Sequence, residues 1–124
     1  MDRMRVEILH ISECPSWIET ARRVRQALDE LGLDPVNVEI RLLQSRADAS
    51  AETSFAGSPT ILIDGSDAFP GATHSTELAC RVYPTPAGLA GSPTQTQITD
   101  ALRSRIPDEA SRPPQTRTTG ARTK

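Results

Sequence analysis

The sequence predicts an α/β domain: a four-stranded mixed sheet with helices on both faces, in the order β-α-β-α-β-β-α, with an irregular insertion before the last helix. Three patterns carry this reading. Residues 4–11 form a short run that is apolar on both parities, which suits an inner strand covered on both sides. Trp17, Ala21, Val24, Leu28 and Leu31 fall at i, i+4, i+7, i+11 and i+14, one face of a helix. Asp64-Gly65, set between two short apolar runs, reads as a hairpin turn.

Each element follows in turn. In the first strand Met4, Val6 and Ile8 point one way and Leu9 and Ile11 the other. Ser12-Glu13-Cys14 makes a turn, and Pro15 suits the first helical position, where its missing N–H needs no partner. Gly32 is a natural helix stop. Val36, Val38, Ile40 and Leu42 alternate with polar residues, a second strand nearer an edge. With the first strand and helix they form a βαβ unit, which implies parallel strands and a right-handed crossover.

Ser45 can cap a short helix with Asp48 in its first turn, and Ala47, Ala51 and Phe55 would line its inner side. Residues 60–63, TILI, are a third strand, and the hairpin returns through Asp67-Ala68-Phe69. Residues 71–93 are expected to be irregular. Thr94 and Gln97 form a capping box for a last helix, with Ile98, Ala101, Leu102 and Ile106 as its inner stripe.

Composition bounds the rest. The chain has 124 residues, 36% of them hydrophobic and only four aromatic: Trp17, Phe55, Phe69 and Tyr83. One small core of Val, Ile, Leu and Ala is expected, within residues 1–106. Residues 107–124 hold no Ile, Leu, Val, Met or aromatic side chain, and are expected to form a disordered tail. A formal charge of −2 disfavours nucleic acid and anionic membrane as partners. No apolar run approaches a membrane span. The charged start has no long apolar stretch behind it, so a cytoplasmic location is expected.

The chemistry-bearing residues are few. Cys14 falls at a predicted helix start, where backbone N–H groups and the helix dipole favour thiolate over thiol, although Glu13 beside it works against this. Cys80 is the other cysteine and the one available partner, next to Arg81. Cys14 is either a reactive thiol or an inert half-buried one, and Cys80 either a reactive thiol or a small buried apolar residue. His10 reads as a hydrogen-bonded core histidine and His74 as a solvated one. No CxxC or HxxxH spacing points to zinc, so no metal and no cofactor are expected.

The order of elements, a cysteine just after the first strand and Ser58-Pro59-Thr60 before the third strand together resemble the thioredoxin fold, over roughly residues 4–70 and 94–106. The phrases ECPSW, GSPTILIDG and LACRVY are similar to a family of small bacterial thioredoxin-like proteins, some labelled alkylmercury lyases. The resemblance implies a cis peptide bond at Pro59, Cys14 as nucleophile, and a surface at Trp17, Ser58, Pro59 and Thr60 against which a substrate lies. Trp17 stands where the second cysteine of the superfamily's Cys-x-x-Cys would be, so Cys80 is left as the candidate resolving thiol. Ala-Gly-Ser-Pro-Thr recurs at 90–94, but there it leads into a helix and fits no such position.

Three functions are open at this point. The first is a thiol-dependent oxidoreductase or thiol carrier acting on a protein disulfide, a thiol or glutathione. The second is soft-metal handling, with Cys14 and Cys80 clamping mercury and Asp64 or Asp67 as proton donor for lyase-like cleavage. The third is a binding module that keeps the fold without its chemistry.

Overall fold

The structure, a computed structural model, describes residues 4–33 and 35–106. The expected tail at 107–124 lies outside the described residues. The elements are β1 (Val6–His10), α1 (Ser16–Glu30), β2 (Val38–Leu42), α2 (Arg46–Ala51), β3 (Thr60–Ile63), β4 (Ser66–Asp67), β5 (Tyr83–Thr85), β6 (Gly88–Ala90) and α3 (Gln95–Ser104).

The main sheet has four strands in the order β2-β1-β3-β4. Strand β1 runs parallel to β2 and antiparallel to β3, so the sheet is mixed. The two parities of β1 divide the core. Val6 and Ile8 join Ile61 and Ile63 of β3, Val24, Ala27 and Leu28 of α1, and Ile98 and Leu102 of α3. Leu9 and Ile11 join Leu62, Leu43, Phe55, Cys14 and Ala49 of α2 on the opposite face. Helices therefore cover both faces, two on one side and the short α2 on the other. Glu7 shares the second face and is only 3% exposed. A buried carboxylate needs partners, and Glu7 has two: Arg41 at 3.1 Å and Arg5 at 3.2 Å.

Local signals account for the element ends. Gly32 takes φ +74° beyond α1, a conformation that favours glycine. The Ser45 hydroxyl accepts from the Asp48 N–H and caps α2. Thr94 and Gln97 close the expected capping box on α3. Asp64 and Gly65 both have positive φ, as a two-residue hairpin of this twist requires.

Five details differ from the sequence reading. Ala49 is the inward residue of α2, while Ala47 and Ala51 are exposed. The helix ends at Ala51, and Phe55 reaches the core after a turn closed by its N–H to the Glu52 carbonyl, 2.9 Å, not along a continued helix face. Ile106 lies beyond the end of α3 and is half-buried, and Thr99 takes a buried place on the helix instead. The alternating face of β2 is only partly covered, because β2 is an edge strand: Ile40 is 41% and Leu42 44% exposed. Finally, the insertion at 71–93 is not irregular throughout. Its second half is the β5–β6 hairpin, which Gly88, at φ +118°, helps to turn.

Phe55 is fully buried and Leu89 is 74% exposed. Phe55→Ala is expected to lower the unfolding free energy by about 3–5 kcal/mol. Leu89→Ala should stay within about 0.5 kcal/mol of the parent. Urea denaturation of both variants measures this.

Candidate functional site

The first cysteine is placed by the end of β1. The chain leaves His10 through Ile11, whose N–H donates to the Ser58 hydroxyl oxygen at 3.0 Å. A tight turn follows, and the Cys14 N–H returns to the Ile11 carbonyl at 3.4 Å. Pro15 is the N-cap of α1 and not its first residue, so the helix starts at Ser16, one residue later than the sequence suggests. The Pro15 carbonyl accepts from Ile18, three residues on, at 3.1 Å, a tighter turn that delays the start of the α-helix. Cys14 thus sits just ahead of the helix end instead of capping it. It is 2% exposed, with Phe55, Leu9, Leu43 and Leu78 in its cluster.

The second cysteine arrives on an arm, residues 74–83, that lies over the α2 face. His74 Nε2 is 3.1 Å from the Ala49 carbonyl, and the Ser75 N–H donates to the Phe55 carbonyl at 2.8 Å. Glu77 pairs with Arg46 at 2.9 Å, and Leu78 packs into the second core cluster. The arm then forms a parallel bridge with Ser58: the Ser58 N–H donates to the Ala79 carbonyl and the Arg81 N–H to the Ser58 carbonyl, each 2.8 Å. Cys80 lies between these two bonds. It is an exposed residue, and it is joined to Cys14 by a disulfide with a Cα–Cα distance of 6.0 Å, inside the usual bridging range.

The neighbours of Ser58 keep this approach open. Gly57 has φ +108°, and a Cβ there would lie 2.8 Å from the Arg81 Cβ. The Ser58–Pro59 bond is cis, and it is the only cis bond among the described residues. Pro59 offers its carbonyl to the Tyr83 hydroxyl. The Thr60 hydroxyl donates to the Gly57 carbonyl and accepts from the Ala56 N–H. The side chains of Ser58 and Thr60 are therefore engaged within the chain.

Arg81 does not turn its charge toward Cys80. Arg81 is 8% exposed, and its guanidinium donates to Asp67 at 2.9 Å and to the Phe69 carbonyl at 2.7 Å and lies 4.5 Å above the Tyr83 ring. Burial pushes the Tyr83 phenol well above its ordinary value; the Arg81 charge opposes this and Asp67 adds to it. Asp67 is committed to Arg81 and to the Phe69 N–H, and Asp64 accepts from the Arg5 N–H at 2.8 Å. A cleft of about 500 Å³ opens beside the arm, lined by Phe69, Pro70, Arg81, Val82, Tyr83 and Gln97.

The structure therefore brings Cys14, Cys80, Ser58 and Pro59 together. Trp17 belongs to the other face, half-buried against the first core cluster and stacked on His10 with centroids 4.3 Å apart. His10 is buried, with Nδ1 3.3 Å from the Ile11 carbonyl. Tyr83 is a site residue that the sequence reading missed, and Asp67, named there as a proton donor, serves instead as the partner of Arg81. Residue type gave no signal for this, since the structure buries Arg81 and Tyr83 and leaves Val82 exposed between them.

No protein-family model matches the chain, and neither a curated protein nor a solved structure does so. Among the described residues no group of three or more His, Cys, Asp and Glu side chains is placed to hold a metal ion. Among the same residues no helix is long and apolar enough to cross a membrane.

Three outcomes follow from this geometry. Gly57→Ala should push the Cys80 segment away from Ser58 and slow formation of the Cys14–Cys80 disulfide during air oxidation, as read by thiol titration. Reducing the disulfide should lower the unfolding free energy by about 2–4 kcal/mol, since it closes a long loop in the unfolded chain; guanidinium denaturation with and without reductant tests this. The Tyr83 phenol, the only one in the chain, should ionise above the free value near 10. Its raised value means that the neutral form is favoured in the folded state. That contribution to stability is complete below pH about 10 and falls as pH rises further. Phenolate absorbance should therefore appear only above that range, together with unfolding.

Proposed function

We propose that the chain is a thiol–disulfide exchange protein on a thioredoxin-type fold, with Cys14 and Cys80 as its redox pair. The observation that carries this reading is the Cys14–Cys80 disulfide beside cis-Pro59. The order of elements, β1 parallel to β2 and antiparallel to β3, and a cysteine between β1 and α1 support the same fold. Cys80 takes the part of the second cysteine that Trp17 displaces from the local motif.

The reaction is a two-electron exchange. The reduced pair gives two protons and two electrons to a substrate disulfide, which becomes two thiols, while the Sγ–Sγ bond forms. A low-molecular-weight thiol such as glutathione, or a protein dithiol, reverses the step. The proposed cytoplasmic setting belongs to the same reading, because disulfides that form there are more often catalytic or redox-sensing than structural.

One further observation favours a second reading, soft-metal handling. Two sulfurs that can bond to each other can also clamp a two-coordinate soft cation such as Hg(II) once reduced. Lyase-like cleavage has less support, since Asp64 and Asp67 are both engaged elsewhere. In the binding-module reading the disulfide is only a staple.

The test is equilibration in glutathione buffers of graded ratio, followed by alkylation and mass spectrometry. The pair should pass from disulfide to dithiol along a two-electron curve, and the reduced chain should reduce a small aromatic disulfide. Cys14→Ser and Cys80→Ser should each abolish closure of the intramolecular disulfide. A disulfide that stays closed at every ratio would leave the staple reading.

A further inference from the structure

We propose that Cys80 is the sulfur that incoming thiolates attack and that Cys14 is the buried leaving group, the reverse of the order that the sequence suggests. This rests on the thiol–disulfide reading above. The two ends of the disulfide are unlike. Cys14 is 2% exposed and packed within the second core cluster, whereas Cys80 is an exposed residue on the outer arm.

Displacement at a disulfide sulfur proceeds in line with the bond that breaks. Attack on Cys80 approaches from the side away from Cys14, at the exposed residue of the pair. Attack on Cys14 would have to reach a residue that is 2% exposed and clustered with Phe55, Leu9 and Leu43. A charged thiolate would have to enter that apolar packing, at a desolvation cost that the outer route avoids.

The step balances as follows. A thiolate RS⁻ bonds to Cys80 Sγ, the Sγ–Sγ bond breaks, and its electron pair leaves on Cys14 Sγ. The Cys14 thiolate is released one residue ahead of the N-cap of α1, where the helix dipole favours negative charge. A second RS⁻ then attacks the R sulfur of the mixed disulfide. It yields RSSR and the Cys80 thiolate, so two thiols are oxidised and the protein gains two electrons. Throughout, the Ser58 bonds to Ala79 and Arg81 hold Cys80 at the surface.

The experiment mixes the oxidised full chain with glutathione, quenches with acid and N-ethylmaleimide within seconds, and maps both cysteine peptides by mass spectrometry. Glutathione is expected on Cys80 and the maleimide on Cys14, by about tenfold over the opposite pattern, as unequal access predicts. Glutathione on Cys14, or spread equally over both, overturns the proposal and leaves the exchange reading standing. No opening of the disulfide at any glutathione concentration overturns the exchange reading itself. A second measurement needs no intermediate: in Cys14→Ser the remaining Cys80 should react with an aromatic disulfide about tenfold faster than Cys14 does in Cys80→Ser. Equal rates in two variants that keep the parent's circular dichroism overturn the proposal.

Discussion

One buried serine joins the two cysteine-bearing segments. The Ser58 hydroxyl oxygen accepts from Ile11, its N–H donates to Ala79, and its carbonyl accepts from Arg81. The first bond fixes the chain three residues ahead of Cys14, and the other two flank Cys80. Ser58 is 1% exposed, so any of these groups left without a partner costs about 1–3 kcal/mol. The arrangement therefore enforces itself. Gly57 gives the arm room on one side, and Pro59 on the other presents the carbonyl that Tyr83 caps. The sulfurs meet because the backbone around Ser58 brings them together.

The wider fold sets up this meeting through the parity of β1. With Val6 and Ile8 committed to α1 and α3, Leu9 and Ile11 must face α2. The chain that follows carries Cys14 to that second face. This face has only a six-residue helix over it, and Phe55, Leu78 and the arm complete its cover. The arm thus has two roles: it closes a core that α2 is too short to close, and it delivers Cys80. The Arg81–Asp67 pair, with Tyr83 beneath the guanidinium, ties the far end of the arm to the β3–β4 hairpin.

Much of the frame was legible because its signals are local. Alternation in β1, the Gly32 stop, the Ser45 cap, the Asp64-Gly65 turn and the Thr94–Gln97 box each involve residues within a few positions of one another, and each has a short-range cause. The arm was not legible for the opposite reason. Its place depends on Ser58 meeting Ala79 and Arg81, a pairing of backbone groups that carries no side-chain signature. The sequence reading left open whether Cys14 is buried. Its burial depends on the contacts of Phe55 and Leu78, which are distant in the chain. The inner side of α2 was misread because the helix stops at Ala51 and Phe55 enters the core from a turn.

On this account the disulfide records a proximity that hydrogen bonds have already created. It stabilises chiefly by restricting the unfolded chain, while Ser58 positions the sulfurs in the folded one. The most direct test is amide hydrogen exchange at Ser58 and Arg81 in the oxidised and the reduced chain, under conditions where both are folded. The account predicts that both amides stay protected after reduction, with protection lowered by no more than the loss of global stability. Free exchange at either amide once the disulfide is opened, with the β1 amides still protected, would contradict it.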